Sequence, residues 1–351
     1  MPATPTHEDR LAAGLPAALE PESNERGEFA ARRGEWPREY VHGETPLAWA
    51  LELRGEAAAL LAHDPKLREL ELQRALFLDI ETTGLAGGAG TKAFLVGLGR
   101  FEAGGFELWQ GFLRGPEEEA ALLSACAERI REAGAIVTFF GKSFDRHRLE
   151  DKMRVHGIAP PFESCLHFDL YHPCRRLFGG RFADGRLATM EREIAGLRRE
   201  RDLPGAFAPA AWYDFLAGRA HLLEEVFRHN RDDILSLAAL CGALGRLVQA
   251  EDGADACVSG ILARSSAKLG RWTEAAAWSL RAEAGTDSGA ELQELQFLRL
   301  RALRNSGAAF DEAALLAQIA SGPDPTLATR AARELGRCVR RGRGRAAENA
   351  P

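Results

Sequence analysis

The chain has 351 residues, of which 46% are hydrophobic and 27% charged, an ordinary globular composition long enough for about two domains. Its formal net charge of −6 excludes a broadly basic nucleic-acid wrapper, though not a local basic patch or a metal site built from carboxylates. Six cysteines without a CxxC spacing, no apolar N-terminal leader and no apolar run longer than residues 234–244 argue against a disulfide framework, a secretory signal and a bilayer span, so a cytoplasmic protein is expected.

Residues 1–45 are rich in Pro, Glu, Arg and Gly without a hydrophobic period and read as a loosely ordered lead-in. Helical spacing from Leu47 to Leu70 predicts one or two helices, which makes 1–70 a partly helical N-terminal extension. An apolar run at 75–80, ending in Thr82-Thr83-Gly84, predicts a buried strand. Two further strands, 94–101 and 106–113, are joined by Ala103-Gly104-Gly105 as a hairpin. Pro116 and three glutamates then open a helix. A strand at 135–140, a helix at 144–156, a strand at 166–170 and a long helix at 220–248 follow. Three consecutive strands, then alternating helix and strand, predict an α/β domain over 71–250 with a mixed five-stranded sheet flanked by helices. Residues 254–345 are all-helical in pattern. Trp272 with Ala275, and Phe310 with Ala313, mark two segments that resemble tetratricopeptide repeats, although the 38-residue offset exceeds the usual unit of about 34.

The informative string for chemistry is Leu78-Asp79-Ile80-Glu81-Thr82-Thr83-Gly84. Residues two apart on a strand share a face, so Asp79 and Glu81 present two carboxylates side by side. Adjacent like charges are unfavourable unless a cation lies between them, and oxygen ligands without Cys or His select Mg²⁺ or Mn²⁺. Asp145 follows a glycine turn at the start of a helix, where an ordinary N-cap is the plain alternative. His229 and Asp233 are four apart and share a helical face, with Asp232 a rival for the acidic role.

Together these residues resemble the DnaQ-like (DEDD) 3′–5′ exonuclease superfamily, and more closely its YprB-like branch, over about residues 74–248. Asp79 and Glu81 match the first motif, Asp145 the second and Asp233 the third. Further strings of the resemblance are residues 85–91, 168–177, 202–205 and 229–237. It implies a ribonuclease H-like fold and a nuclease that removes nucleotides from the 3′ end of DNA or RNA. It also implies two divalent metals about 3.5–4 Å apart, held by Asp79, Glu81, Asp145 and Asp233. His229 becomes the general base, in the three-residue spacing usual for a Tyr in this superfamily. Substrate contacts are implied at Thr82, Thr83, Gly84, Lys142 and Phe144. Phe140 departs from the family pattern, which carries Asn there, and packing is its expected role.

The alternative class is a non-catalytic scaffold: a ribonuclease H-like domain that binds nucleic acid or protein, with helical repeats recruiting a protein partner. Gly141-Lys142-Ser143 lacks the earlier glycine of a phosphate-binding loop. Cys165, His167, His172 and Cys174 have a spacing that chelates zinc poorly. Seven arginines between Arg330 and Arg345 form a basic cluster able to hold phosphates or merely to solubilise a helix.

Overall fold

The computed structural model describes residues 19–84, 90–199, 203–250 and 253–348, without the side chains of 341–348. The chain divides into two compact units, Met1–Gln249 and Ala250–Pro351.

The first unit is built on strands β1 (Glu20–Asn24), β2 (Gly27–Pro37), β5 (Ala75–Thr82), β6 (Ala93–Glu102), β7 (Gly105–Phe112), β8 (Ala135–Thr138) and β9 (Leu166–Asp169). They form one seven-stranded mixed sheet in the order β1-β2-β7-β6-β5-β8-β9. β8 is parallel to β5 and to β9, and the remaining pairs are antiparallel. The short strands β3 (Val41–His42) and β4 (Thr45–Pro46) pair with each other. The five strands expected from the sequence are the contiguous run from β7 to the edge strand β9.

β1 and β2 are the correction, because they come from the segment read as a loose lead-in. Only Phe29, Ala30 and Ala31 of β2 are buried. The rest mixes the charged Glu28, Arg32, Arg33 and Glu35 with Gly34, Trp36 and Pro37, and Arg33 and Arg32 stand against Glu22 and Glu224, so no apolar alternation announced it. β2 nevertheless pairs with β7 from Ala30–Phe112 to Pro37–Gly105. The 47–70 region is one short helix, α1 (Gly55–Ala62), between two 3₁₀ turns.

Helices cover both faces of the sheet: α2 (Glu119–Glu132), α3 (Asp145–Val155), α4 (Tyr171–Phe178), α5 (Leu187–Ile194), α6 (Ala208–Leu216) and the 27-residue α7 (Leu223–Gln249). Successive β5 side chains alternate faces. Leu76, Leu78 and Ile80 join the core with Leu122 and Ile130 of α2, while Asp79 and Glu81 turn toward α7. A strand carrying these apolar residues on one face and two acids on the other delivers both carboxylates to a single helix.

The second unit contains α8 (Ala256–Lys268), α9 (Trp272–Ala284), α10 (Gly289–Ser306), α11 (Glu312–Ala320) and α12 (Pro325–Glu348). Gly270 and Gly307 end α8 and α10 in the left-handed region, both with φ of 71°, where glycine carries no Cβ penalty. Ala275, Ala282 and Ala302 are buried at helix crossings. A second cluster holds Leu300, Leu315, Leu316, Ile319 and Ala331. Among the described residues no helix is long and apolar enough to cross a membrane.

Candidate active site

The site begins with a register. Asp79 on β5 stands opposite Gly97 on β6, and Gly97 stands opposite Gln110 on β7. Because Gly97 has no side chain, Asn230 of α7 settles into the gap. A Cβ there would lie 2.4 Å from the Asn230 Oδ1. Asn230 is fully buried. Its amide donates to Asp79 Oδ2 at 2.8 Å, and its Oδ1 accepts from Gln110 Nε2 at 2.8 Å. Gln110 also donates to the Phe227 carbonyl at 2.9 Å. Three strands and one helix thereby fix one Asp79 oxygen. The sequence pattern marked neither Asn230 nor Gln110 as a site residue. The one signal it held was the position of Asn230 beside His229 on a helix already under suspicion.

Glu81 sits where the β5–β6 register shifts, an irregularity of the kind that re-aims a side chain at a strand end. Its Oε1 is 3.8 Å from His229 Nε2, which is 3.6 Å from Asp233 Oδ2. Asp145 is buried in the first turn of α3. The loop before it is held by Asp169 at the end of β9: Oδ1 accepts from the Phe140 and Tyr171 amides at 2.8 and 3.1 Å, and Oδ2 from the Lys142 amide at 3.0 Å.

Burial raises three of these carboxyls, and the charge of a neighbouring acid adds to each rise. Desolvation first, then the charge of Asp233, pushes Asp79 up to about 7. Desolvation followed by Asp79 drives Glu81 well above the ordinary range. Asp145 rises for the same two reasons. Asp79 accepts from the Asn230 amide and Glu81 faces His229, while the charge of Arg199 offsets the rise of Asp79 only in part. Buried oxygens that are costly as anions and face one another are a donor set suited to a hard divalent cation.

The fourth acid is different. Asp233 is ion-paired with Arg199, which lies on the connection after α5 and also donates to Glu191 Oε2 at 3.0 Å. Burial opposes the charge of Arg199, yet Asp233 and Glu191 hold its guanidinium charged. The same guanidinium stands 3.2 Å from His229 Nδ1. Guanidinium groups only donate, so Nδ1 accepts and the imidazole proton is on Nε2. Among the described residues no group of three or more His, Cys, Asp or Glu side chains is placed, as it stands, to hold a metal ion. Arg199 and Glu191 gave no sequence signal, being 34 and 42 residues before Asp233. Asp232, the rival of Asp233, is paired with Arg231 at 2.8 Å. His42 of β3 anchors the same helix, sharing a 2.9 Å hydrogen bond with Ser236 Oγ. Burial, then Arg199 and Arg231, pushes His42 down to about 4.

Of the expected substrate contacts, Thr82 Oγ1 donates to the Gly84 carbonyl at 3.1 Å, and Thr83 Oγ1 accepts from the Lys92 amide at 2.9 Å. These bonds tie the two ends of the β5–β6 connection. Residues 85–89 of its glycine-rich string, and Asp202 of another, lie outside the described residues. The Lys142 backbone is held by Asp169, and the Phe144 ring lies under Arg148 at 5.0 Å. Phe140 does not pack as expected. It is 45% exposed, with its ring edge-on to Tyr171 at 4.8 Å. Its φ is 65°, a left-handed conformation costly for a bulky residue and tolerated by Asn.

Residues 76–244 match the model of the RNase H superfamily. The chain is also 31% identical over 228 residues to the uncharacterized protein YprB of Bacillus subtilis (strain 168), a match that covers 64% of this chain and 54% of that protein. The chain thus spans about half the length of the relative it matches.

Proposed function

Taking residues 76–244 as an RNase H-like domain, we propose that the chain is a metal-dependent nuclease of the DnaQ-like type that removes nucleotides from the 3′ end of DNA or RNA. The observation that carries this reading is the set of three buried carboxyls, Asp79, Glu81 and Asp145, each raised by burial and by the charge of a neighbouring acid. A fold has no structural use for such a cluster, which costs stability wherever the groups ionise.

Asp79, Glu81, Asp145 and Asp233 would hold Mg²⁺ or Mn²⁺, which when bound supplies Lewis acidity toward a phosphodiester and a water of lowered pKa. Asn230 keeps Asp79 from rotating away. His229 is the candidate to take a proton from water at Nε2, and that requires Nε2 to be free of its own proton. Arg199 therefore has to leave Nδ1, so that the imidazole proton can move there. Leaving also frees Asp233. Arg199 in this reading holds the resting site together and gives way when a cation and substrate arrive. The second unit, which resembles tetratricopeptide repeats, would recruit a protein partner.

The pairing of Asp233 with Arg199 favours a second reading, in which the domain is a scaffold that binds nucleic acid or protein without cutting. Digestion of end-labelled DNA and RNA with Mg²⁺ or Mn²⁺, beside Asp79→Asn, separates the two. Stepwise loss from the 3′ end, abolished in the variant, supports the nuclease. Intact substrate of every kind, from a chain that binds no metal, leaves the scaffold. Cutting of circular single strands would mean endonuclease action by the same residues.

A further inference from the structure

We propose that one face of α12 is a nucleic-acid backbone site, with Arg333, Arg337 and Arg340 as its phosphate contacts. The helix segment 325–348 carries seven arginines and two glutamates, within a chain of net charge −6. Such segregation of charge is the electrostatic footprint of a polyanion partner.

Arg333, Arg337 and Arg340 are spaced four and three apart, which places them on one helical face. All three are exposed, and none has an ion-pair or hydrogen-bond partner among the described residues. Both acids that share this face are already engaged, Glu334 by Arg304 at 2.7 Å and Arg330 at 3.3 Å, and Glu312 by Arg304 at 2.8 Å. Two clefts of about 860 and 610 Å³ flank this face. Arg337 lines both, Arg340 the first and Arg333 the second.

The other face of α12 decides between partners. Ala331 is buried, and Leu335 and Cys338 pack on the cluster of Leu300, Leu315, Leu316 and Ile319. The apolar side is thus spent on the unit's own core. Val339 is the one large hydrophobic residue of α12 that stands exposed among the described residues. A membrane-surface helix needs an apolar face to insert, and a protein interface needs an apolar centre. A face of unpaired planar guanidiniums fits phosphodiester oxygens instead. After Arg340 the sequence reads Arg341-Gly342-Arg343-Gly344-Arg345, an arginine–glycine composition suited to a single strand.

This inference deepens the nuclease reading by giving the strand a second hold, but its test does not need cutting. The full chain carrying Asp79→Asn is titrated in EDTA against labelled single-stranded DNA and RNA oligomers over a salt series, with fluorescence anisotropy as the readout. Changing Arg333, Arg337 and Arg340 together to Gln should weaken binding about tenfold or more and flatten the log–log salt slope by about 2, since each phosphate contact contributes about 0.7 on a single strand. The matching Lys variant should keep most of the slope. An unchanged affinity and slope in the Gln variant, with folding verified by its melting curve, overturns the proposal. So does tighter binding of phosphatidylserine vesicles or of polyglutamate than of either oligomer. A chain that binds strands through these arginines yet digests nothing would retain this inference and remove the nuclease reading.

Discussion

Arg199 and Asp233 form a direct guanidinium–carboxylate pair, and the pair takes in the buried Glu191 and the Nδ1 of His229. Removing the guanidinium strands a buried carboxylate at Glu191, a loss of about 3–5 kcal/mol by the usual cost of breaking a buried pair. Arg199→Gln is therefore expected to destabilise the metal-free chain by that amount in urea unfolding. The same variant should bind Mg²⁺ more tightly by calorimetry, because Asp233 no longer has a competing cation. Equal stability in EDTA, or weaker Mg²⁺ binding, would contradict the role given to Arg199.

Asn230 touches Asp79 and is fully buried, so its loss should behave like loss of a supporting hydrogen bond around a proposed metal ligand. Asn230→Ala is expected to lower activity or metal affinity about 10–100-fold with the fold retained. Gly97→Ala should do the same from a different strand, since its methyl group would occupy the place of the Asn230 amide. Activity within twofold of the parent in both variants would show that the orientation of Asp79 is immaterial.

Phe140 has a conformational cost of about 1–3 kcal/mol set against an edge-on aromatic contact worth about 0.5–1.5 kcal/mol. The strain outweighs the contact. Phe140→Asn should stabilise the chain by about 1 kcal/mol, a rise in melting temperature of about 2–4 °C. A lower melting temperature would mean that the Phe140–Tyr171 contact is worth more than the relief of the backbone.

The acid cluster and the buried histidine pull stability in opposite directions with pH. Asp79 has an ordinary value of 3.8 and is pushed up to about 7. The folded chain keeps a proton that the unfolded chain has released, so this contribution is lost as pH rises through that window. His42, lowered from 6.5 to about 4, gives stability that is lost as pH falls from 6.5 toward 4. A cation at the acids removes the first effect and leaves the second. The melting temperature with Mg²⁺ minus that with EDTA should therefore be near zero at pH 5 and clearly positive at pH 8. A difference independent of pH would place the cation elsewhere.

Sequence pattern reached the parts of this molecule where local chemistry and local structure coincide. Asp79 and Glu81 end a strand whose other residues are apolar, and His229 and Asp233 share one turn of helix, so spacing alone paired them. The partners that orient or restrain those residues were out of reach. Gln110, Asn230 and Glu191 are ordinary polar residues until the sheet and α7 bring them together. Phe140 was read from its ring, whereas its backbone angle is what the site imposes. β2 escaped because its outward side chains form ion pairs across the strand edge instead of an apolar stripe.

That same β2 carries a consequence for shortened versions of the chain. It caps β7 along its whole length, from Gly105 to Phe112. A chain starting after Pro37 would expose those amides and carbonyls as a template for strand addition by a neighbouring molecule. This strand, with Glu28, Arg32, Arg33 and Glu35, thus acts as a guard against self-association, and its removal should show as aggregates in light scattering before any change in chemistry.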